Sequence, residues 1–290
     1  MRVFGIVVSY RSEPEVTRVV EDLLQSGLIA GVVIVDNSAC LGDQLPTFVG
    51  LRSDDRVFVL APSENLGYAR GNNHGVRFAQ ERGADHVLIM NPDVHFDDED
   101  LAALLARHNV PDSAPIISPS LREGGVVLSR PGFDTRLGRG LLAVAYGRSE
   151  QVPTFFGAIF LARTQTFLTL GALDEDLFLY CEEVAFVLRG RGVLSGPLFE
   201  VLDEVVFSHG RGGTISPSGY ELAGRSMVAY EESARSVVIV GRKYFRSRLV
   251  LWILARGVLA CTLAPRNPRA AVAVLRGVLR GLGARLTVGT

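Results

Sequence analysis

Cysteine is scarce in this chain of 290 residues: Cys40, Cys181 and Cys261 are scattered, with no Cys-x-x-Cys pair. A disulfide framework and a zinc knuckle are therefore not expected, and a reducing compartment fits. Lysine is nearly missing, since Lys243 is the single one and the other 29 basic residues are arginine. No secretory signal stands at the start, because Met1-Arg2 leads straight into the apolar run Val3–Val8 and then into Ser9-Tyr10 and charge. Internal repeats and low-complexity tracts are absent. Acidic residues are missing from one region only. Residues 240–290 carry ten basic side chains and no acid, so the formal charge of −1 divides into +10 there and −11 elsewhere. Such segregation implies two surfaces with different partners. What is present is a 48% apolar fraction with 21% charge and a mean hydropathy of +0.25. That composition supports a packed core and excludes general disorder, collagen-like and heptad classes. The length calls for one large or two modest domains.

The first hundred residues alternate short β-branched runs with helical patterns. Strands are predicted at 3–9, 32–35, 56–60 and 86–90, with helices near 14–26, 71–82 and from Asp97 or Asp98 to about His108. Gly83 stops the second helix, and Glu99 and Asp100 suit the first turn of the third. Strand, helix, strand with short connections implies a mostly parallel central sheet flanked by helices. The fold class is α/β. Residues 120–150 are glycine-rich and read as loops with a hairpin around Gly124-Gly125. A buried strand is expected at 154–161, a short helix ending at Gly171, and another strand at 201–207. From about Ser218 the pattern is helical. The division is therefore 1–217 for the main α/β domain and 218–290 for a basic helical extension.

Polar clusters fall at the ends of these strands, where open α/β sheets place their ligands. Asp36-Asn37-Ser38 follows the second strand; an acid there accepts hydrogen bonds from a ribose or base edge, and the same residues also make ordinary turns. Asn65 to Gly75 combines three glycines with three asparagines in a polar loop before a helix, where backbone can approach a ligand closely. Its spacing is not that of the dinucleotide fingerprint. Asn91-Pro92-Asp93 follows the fourth strand, and a carboxylate there can hold Mg²⁺ or Mn²⁺ bridging phosphates. Downstream, Asp174-Glu175-Asp176 precedes Tyr180-Cys181-Glu182-Glu183. Paired carboxylates raise one another's pKa and can supply a general base, although acids also favour a solvated helix start. His209 would complete a metal site, or serve structurally.

In order and spacing these motifs resemble the family 2 glycosyltransferases of the GT-A fold, especially the bacterial rhamnosyltransferase-like branch. The pieces that carry the likeness are Val7-Val8-Ser9-Tyr10, Val35-Asp36-Asn37-Ser38 and Asn65-x-Gly67-Tyr68-Ala69-x-Gly71-Asn72-Asn73-x-Gly75. To these are added Leu88-Ile89-Met90-Asn91-Pro92-Asp93, Gly157-Ala158, Gly171-x-x-Asp174-Glu175-x-x-Phe178-x-Tyr180-x-Glu182-Glu183, and Ser208-His209. The resemblance implies that Asp36 contacts the nucleoside, with Ser9 and Tyr10 in the same pocket. Asn65, Gly67, Tyr68, Gly71, Asn72 and Asn73 would lie over the diphosphate and sugar of the donor, near Asn91. Asp93 would ligate Mg²⁺ or Mn²⁺ with His209. Glu183 would be the general base, with Glu182 beside it on donor or acceptor hydroxyls. Two positions depart from the pattern: Asn91 stands where many relatives carry an acid, and Ala185 where an acid commonly follows the base pair.

The implied activity is a metal-dependent inverting transfer of a sugar, rhamnose or a similar deoxyhexose being favoured, from a dTDP- or UDP-linked donor. The acceptor would be a hydroxyl of a glycan or polyprenyl-diphosphate-linked glycan in cell-surface polysaccharide synthesis. A catalytically weak or inactive nucleotide-sugar-binding relative is the rival reading, resting on Ala185. A sugar nucleotidyltransferase would need a glycine-rich basic loop near the start, which residues 5–20 lack. No nucleic-acid partner is expected. In the basic tail, residues 249–264 are apolar apart from Arg256 and Thr262 but fall short of the roughly 20 residues a span needs. Residues 269–286 place Arg269, Arg276 and Arg280 on one helical face and Val272, Leu275, Leu279, Leu282 and Leu286 on another. That pattern suits a helix lying in an anionic membrane interface, on the cytoplasmic side, with an oligomer contact as the alternative.

Overall fold

The structure is a computed structural model that describes residues 1–38, 48–110, 113–141, 144, 149–210 and 226–287. Strands β1 (Val3–Ser9), β2 (Gly31–Asp36), β3 (Val57–Leu60) and β4 (His86–Met90) form the parallel half of a larger sheet, in the order β3-β2-β1-β4. β1, β2 and β4 are apolar at nearly every position because both sheet faces are covered. Helix α1 (Glu13–Gln25) buries Val16, Val19, Val20 and Leu23, a stripe at helical spacing. Helix α2 (Gly67–Glu81) packs on the opposite face through Ala69, Val76 and Ala79. Beyond β4 a two-residue strand, β5 (Val94–His95), precedes α3 (Asp98–Ala106), whose N-cap Asp97 accepts from the Asp100 amide at 2.8 Å.

The other half of the sheet is mixed. β6 (Ile116–Glu123), β11 (Ile159–Arg163) and β12 (Phe199–His209) continue the order as β4-β11-β6-β12-β5, with β11 antiparallel to both neighbours and β6 parallel to β12. The Gly124-Gly125 hairpin is present and joins β6 to β7 (Val126–Leu128); both glycines have positive φ, as a tight hairpin turn demands. The second half of β6, from Ser120, lies where the sequence suggests loop. The strand's serines are satisfied inside the sheet: Ser118 Oγ donates to the Ile159 carbonyl and Ser120 Oγ to that of Leu202. Pro119, unable to donate to a ladder, stands where β12 bulges between Leu202 and Val206. A second small sheet gathers β8 (Gly132–Asp134), β9 (Arg139–Leu141) and β10 (Gln151–Pro153). The strand expected at 154–161 starts only at Ile159, which leaves 154–158 as loop. Helix α4 (Thr164–Thr169) ends before Gly171, and α5 (Glu182–Gly190) carries the acidic pair.

The boundary proposed at 217/218 lies outside the described residues, as does Cys40. The helices that follow are α6 (Met227–Tyr244), α7 (Leu249–Leu263) and α8 (Pro268–Gly283). α6 contributes Val237, Ile239 and Val240 to the same apolar cluster as Phe133 and Phe155. Trp252 of α7 is fully buried between Phe133 and Phe245, at ring separations of 5.5 and 5.2 Å, and its Nε1 donates to the Thr135 carbonyl at 3.0 Å. The single lysine finds its partners here: Lys243 Nζ lies 2.7 Å from Asp174 and 2.6 Å from Asp176.

On helix α8, Arg276 and Arg280 are exposed with Arg269, and their tips reach Glu231, at 3.6 and 2.6 Å, and Arg280 also Glu232 at 2.7 Å. Leu286 packs on the main core. α8 meets α6 through small residues, and at Gly277 a Cβ would lie 2.1 Å from the Glu231 carbonyl oxygen, so only glycine permits that approach. Among the described residues no helix is long and apolar enough to cross a membrane.

Candidate functional site

The carboxyl ends of β1 and β2 form the first part of the site. Register pairs Ser9 with Asp36, and both are buried. Asp36 Oδ1 accepts from the Ser38 amide at 2.9 Å, and Tyr10 is half exposed at the rim. Asn37 ties this end to α2: its Oδ1 accepts from the Leu66 amide at 3.1 Å and its Nδ2 donates to the Gly67 carbonyl at 3.2 Å. Asn65 Oδ1 accepts from the Gly67 amide at 2.9 Å, completing the entry to the helix.

The Asn65–Gly75 stretch is therefore mostly helix rather than loop. Gly71 and Gly75 bring that helix onto β1, where added Cβ atoms would sit 3.2 Å from Val8 and 2.6 Å from Ile6. Asn73 is buried and spent on the protein itself, whereas buried Asn72 keeps its Oδ1 without a hydrogen-bond partner. Asn72 Nδ2 donates to the Tyr68 carbonyl at 2.9 Å. Asn73 Nδ2 donates to the Leu173 carbonyl at 2.9 Å and to Glu175 at 3.0 Å, while its Oδ1 accepts from the Leu173 amide at 3.0 Å. Density of amide side chains signals here a clamp between α2 and the segment leading to the acidic pair. Gly67 is the pivot. Its φ is +71°, and a Cβ would lie 2.5 Å from the Phe178 carbonyl oxygen, the same oxygen that accepts from the Tyr68 amide at 2.7 Å.

A cavity of about 380 Å³ gathers the remaining residues. Tyr68, Asn91, Glu123, Gly157, Glu182, Glu183 and His209 line it, together with Phe133, Phe155 and residues of α6, α7 and α8, including Arg256. The Tyr68 hydroxyl donates to the Gly157 carbonyl. Glu183 faces Gly157, since a Cβ there would stand 3.4 Å from Glu183 Oε2. Glu182 is buried, and its Oε1 has no hydrogen-bond partner. Burial pushes the carboxyls of both glutamates upward, and the charge on Glu183 pushes Glu182 further. Burial and the same two carboxylates also raise Tyr68 and Cys181. Tyr180 and Cys181 take left-handed φ of 74° and 69° immediately before the pair. Two consecutive strained residues of this kind cost about 1–3 kcal/mol each and are characteristic of functional sites. Ala185, one turn on, is fully buried in the apolar core.

At the other side of the cavity, Asn91 donates its amide to the Ala158 carbonyl at 2.8 Å and opens the turn to Asp93. Arg18 holds that turn by donating to the Pro92 and Val94 carbonyls, each at 2.8 Å. His209 comes from the end of β12. Its Nδ1 lies 2.7 Å from Glu123, and its Nε2 lies 3.2 Å from Asp93 Oδ1 without hydrogen-bond alignment. Burial opposes charge on this imidazole, but the hydrogen bond with Glu123 and the nearby negative charge of Asp93 and Glu123 outweigh it and raise the pKa to about 9. No three His, Cys, Asp or Glu side chains converge as a preformed ion cage among the described residues. The donor set nevertheless fits a divalent cation: a carboxylate and an imidazole nitrogen face each other, with Glu123 orienting the ring from behind. Mg²⁺ and Mn²⁺ commonly take one or two protein ligands and complete their shell with phosphate and water.

The structure thus brings Tyr68, Asn91, Glu182, Glu183 and His209 to one cavity, with Asp93 against His209. Ser9, Tyr10 and Asp36 stand apart at the adjoining strand ends. Sequence reading missed Glu123, since nothing local marks a partner 86 residues from His209. It also missed the wall supplied by α6–α8.

Residues 6–164 match the family model described as Glycosyl transferase family 2. The chain is 32% identical over 194 residues to "Low-salt glycan biosynthesis hexosyltransferase Agl10" of Haloferax volcanii, covering 64% of this chain and 60% of that protein. It thus spans less than two thirds of that relative's length. It is 27% identical over 282 residues to "Galactofuranosyltransferase GlfT1" of Mycobacterium tuberculosis, covering 90% of this chain and 85% of that protein. Among solved structures, GalNAc-T7 with UDP, GalNAc and Mn²⁺ superposes with a TM-score of 0.61 at 13% identity, over 96% of this chain and 53% of that one. The fold is the GT-A type.

Proposed function

The chain belongs to glycosyl transferase family 2, and from that premise we propose that it moves a sugar from a nucleotide-diphosphate donor to an acceptor hydroxyl with inversion at the anomeric carbon. The observation that carries this reading is the pair of buried carboxylates, Glu182 and Glu183, sharing one cavity with Asn91 and His209 at the ends of the central strands. Ser9, Tyr10 and Asp36 would take the nucleoside. Glu183 accepts the acceptor's proton as its oxygen bonds to the anomeric carbon, and the nucleoside diphosphate leaves with the electron pair of the broken C–O bond. A raised carboxyl suits this task, because a base closer to neutrality transfers protons more effectively. Glu182, with an unpartnered Oε1, is placed to accept from a sugar hydroxyl. Asp93 and His209 would hold Mg²⁺ or Mn²⁺, which neutralises the leaving diphosphate.

The donor sugar is proposed as rhamnose or a similar deoxyhexose on dTDP or UDP, which the motif resemblance supports. Galactofuranose is the second reading, favoured by the 27% identity to a galactofuranosyltransferase across 90% of the chain. The acceptor is proposed as a glycan or polyprenyl-diphosphate-linked glycan of the cell surface, reached from the cytoplasmic side. The test is a donor and acceptor panel with and without Mn²⁺, the new linkage being read by NMR. A product with inverted anomeric configuration, lost in excess EDTA, is expected. Retention of configuration, or neither transfer nor donor hydrolysis with any pair, would overturn the reading.

A further inference from the structure

Helices α7 and α8 both carry large apolar side chains on their outer faces. On α8 the buried residues are small or short, among them Ala270, Ala273, Gly277 and Gly281, while Val272, Leu275, Leu279 and Leu282 are exposed. On α7 Trp252, Ala260 and Leu263 are buried, while Val250, Leu251, Leu254 and Val258 face outward. Exposure reaches 69% at Leu279 and 68% at Val250. An ordinary surface helix turns its leucines inward, and contiguous exposed apolar patches mark interaction sites. The two faces are one surface: Leu254, Gly257, Val258, Cys261 and Leu275 line a common groove of about 600 Å³ between the helices.

The charge around this surface identifies its partner. Arg276 and Arg280 are engaged by Glu231 and Glu232, and Arg242 donates to the Gly281 and Ala284 carbonyls. Arg246, Arg266, Arg269 and Arg285 remain exposed at the helix ends without an acidic partner among the described residues. The sequence supplies no acid from 240 to 290 to answer them. A second copy docked symmetrically on this face would bring like charges together. A layer of anionic headgroups above hydrocarbon answers both features, with arginines at the headgroups and leucines below.

We infer that the outer face of α7 and α8 is a membrane-docking surface: Val250, Leu254, Val258, Val272, Leu275 and Leu279 enter the acyl boundary of an anionic leaflet, and Arg266, Arg269 and Arg285 hold its headgroups. The helices lie on the bilayer and do not cross it. The surface lies apart from Glu182 and Glu183, so it stands whether or not the transfer reading does. It also sets an orientation, because Arg256, Leu259 and Val274 of the same helices line the catalytic cavity from within.

The experiment is co-sedimentation of the full chain with phosphatidylcholine vesicles containing or lacking 30% phosphatidylglycerol, at low and high salt. Wild type should bind the anionic vesicles at low salt and release in high salt. Leu254→Ser/Leu275→Ser/Leu279→Ser should weaken partitioning at least tenfold with an unchanged melting temperature. Arg266→Glu/Arg269→Glu/Arg285→Glu should abolish the preference for anionic lipid. No binding by wild type, or unchanged binding by either variant, would overturn the proposal. So would sedimentation equilibrium showing a wild-type dimer that the serine variant dissociates, since a second copy would then be the occupant.

Discussion

Glu182 and Glu183 are carboxylates closed into a cavity, whereas Leu254, Val258, Leu275 and Leu279 are large apolar side chains turned to the outside. Both regions reverse the usual sorting of polar and apolar groups, and both do so on well-packed scaffolds. The cavity's reversal is supported from behind: α5 begins after two left-handed residues, Gly67 and Asn73 lock α2 to the segment before them, and Asn37 ties the start of α2 to β2. The helical reversal needs no such support, because small residues let α8 approach α6 closely and leave its leucines without a partner in the fold. Charge held inside serves chemistry on a bound molecule. Apolar surface held outside serves contact with something the chain does not itself provide.

The largest stability change should come from the link between the two regions. Lys243→Met leaves buried Asp174 and half-buried Asp176 without their cation; losing one partner of a fully buried pair costs about 3–5 kcal/mol, and solvent at Asp176 and Lys243 lowers the expected loss to about 2–3 kcal/mol. Urea unfolding should register it, and a midpoint unchanged from wild type would show that the extension is not held this way. On the cavity side, Glu123→Gln removes the group that orients His209. Loss of such a supporting carboxylate costs about 10–100-fold in metal affinity, so the Mn²⁺ concentration for half-maximal activity should rise by that factor. An unchanged Mn²⁺ response would remove His209 from the metal shell.

The pH dependence sharpens the contrast further. Both glutamates have carboxyls raised by burial, so the folded chain holds protons that the unfolded chain releases. Their contribution to stability is complete below the ordinary value of 4.5 and falls as pH rises through the raised values. Activity runs the other way, because the base must be ionised. Thermal melts and kcat/KM profiles should therefore move in opposite directions above pH 4.5, and Glu182→Gln should flatten the loss of stability. Parallel profiles would contradict the assignment. The smallest effect belongs to the outer face: Leu279→Ser should change stability by less than about 0.5 kcal/mol, and a larger loss in calorimetry would mean that the leucine is packed after all.

The sequence made the parallel half legible because β1, β2 and β4 are continuous apolar runs, and the cap at Asp97 is a local signal. Glu182, Glu183, Asp93 and His209 could be named for the same reason, since each belongs to a motif readable in place. What stayed hidden depends on distant partners. The end of β6 reads as loop because it opens a glycine-rich stretch, and only the bulge in β12 and carbonyls of β11 and β12 accommodate Ser118, Pro119 and Ser120 within the sheet. The start of α2 reads as loop because Gly67, Gly71 and Gly75 have low helix propensity, while the contacts that stabilise it come from Asn37 and from the sheet. In α8 a helical pattern was visible, but not that the small residues would be the buried ones. That choice depends on how closely α6 can approach.

The central claim is that Glu183 takes the acceptor's proton in a cavity that binds the donor independently of it. The direct test measures donor binding by calorimetry and transfer by initial rates for wild type, Glu183→Gln and Glu182→Gln. The account predicts that Glu183→Gln lowers kcat by about 10²-fold or more while the donor Kd stays within about twofold. Near wild-type turnover in Glu183→Gln, or a loss of that size in Glu182→Gln alone, would contradict it.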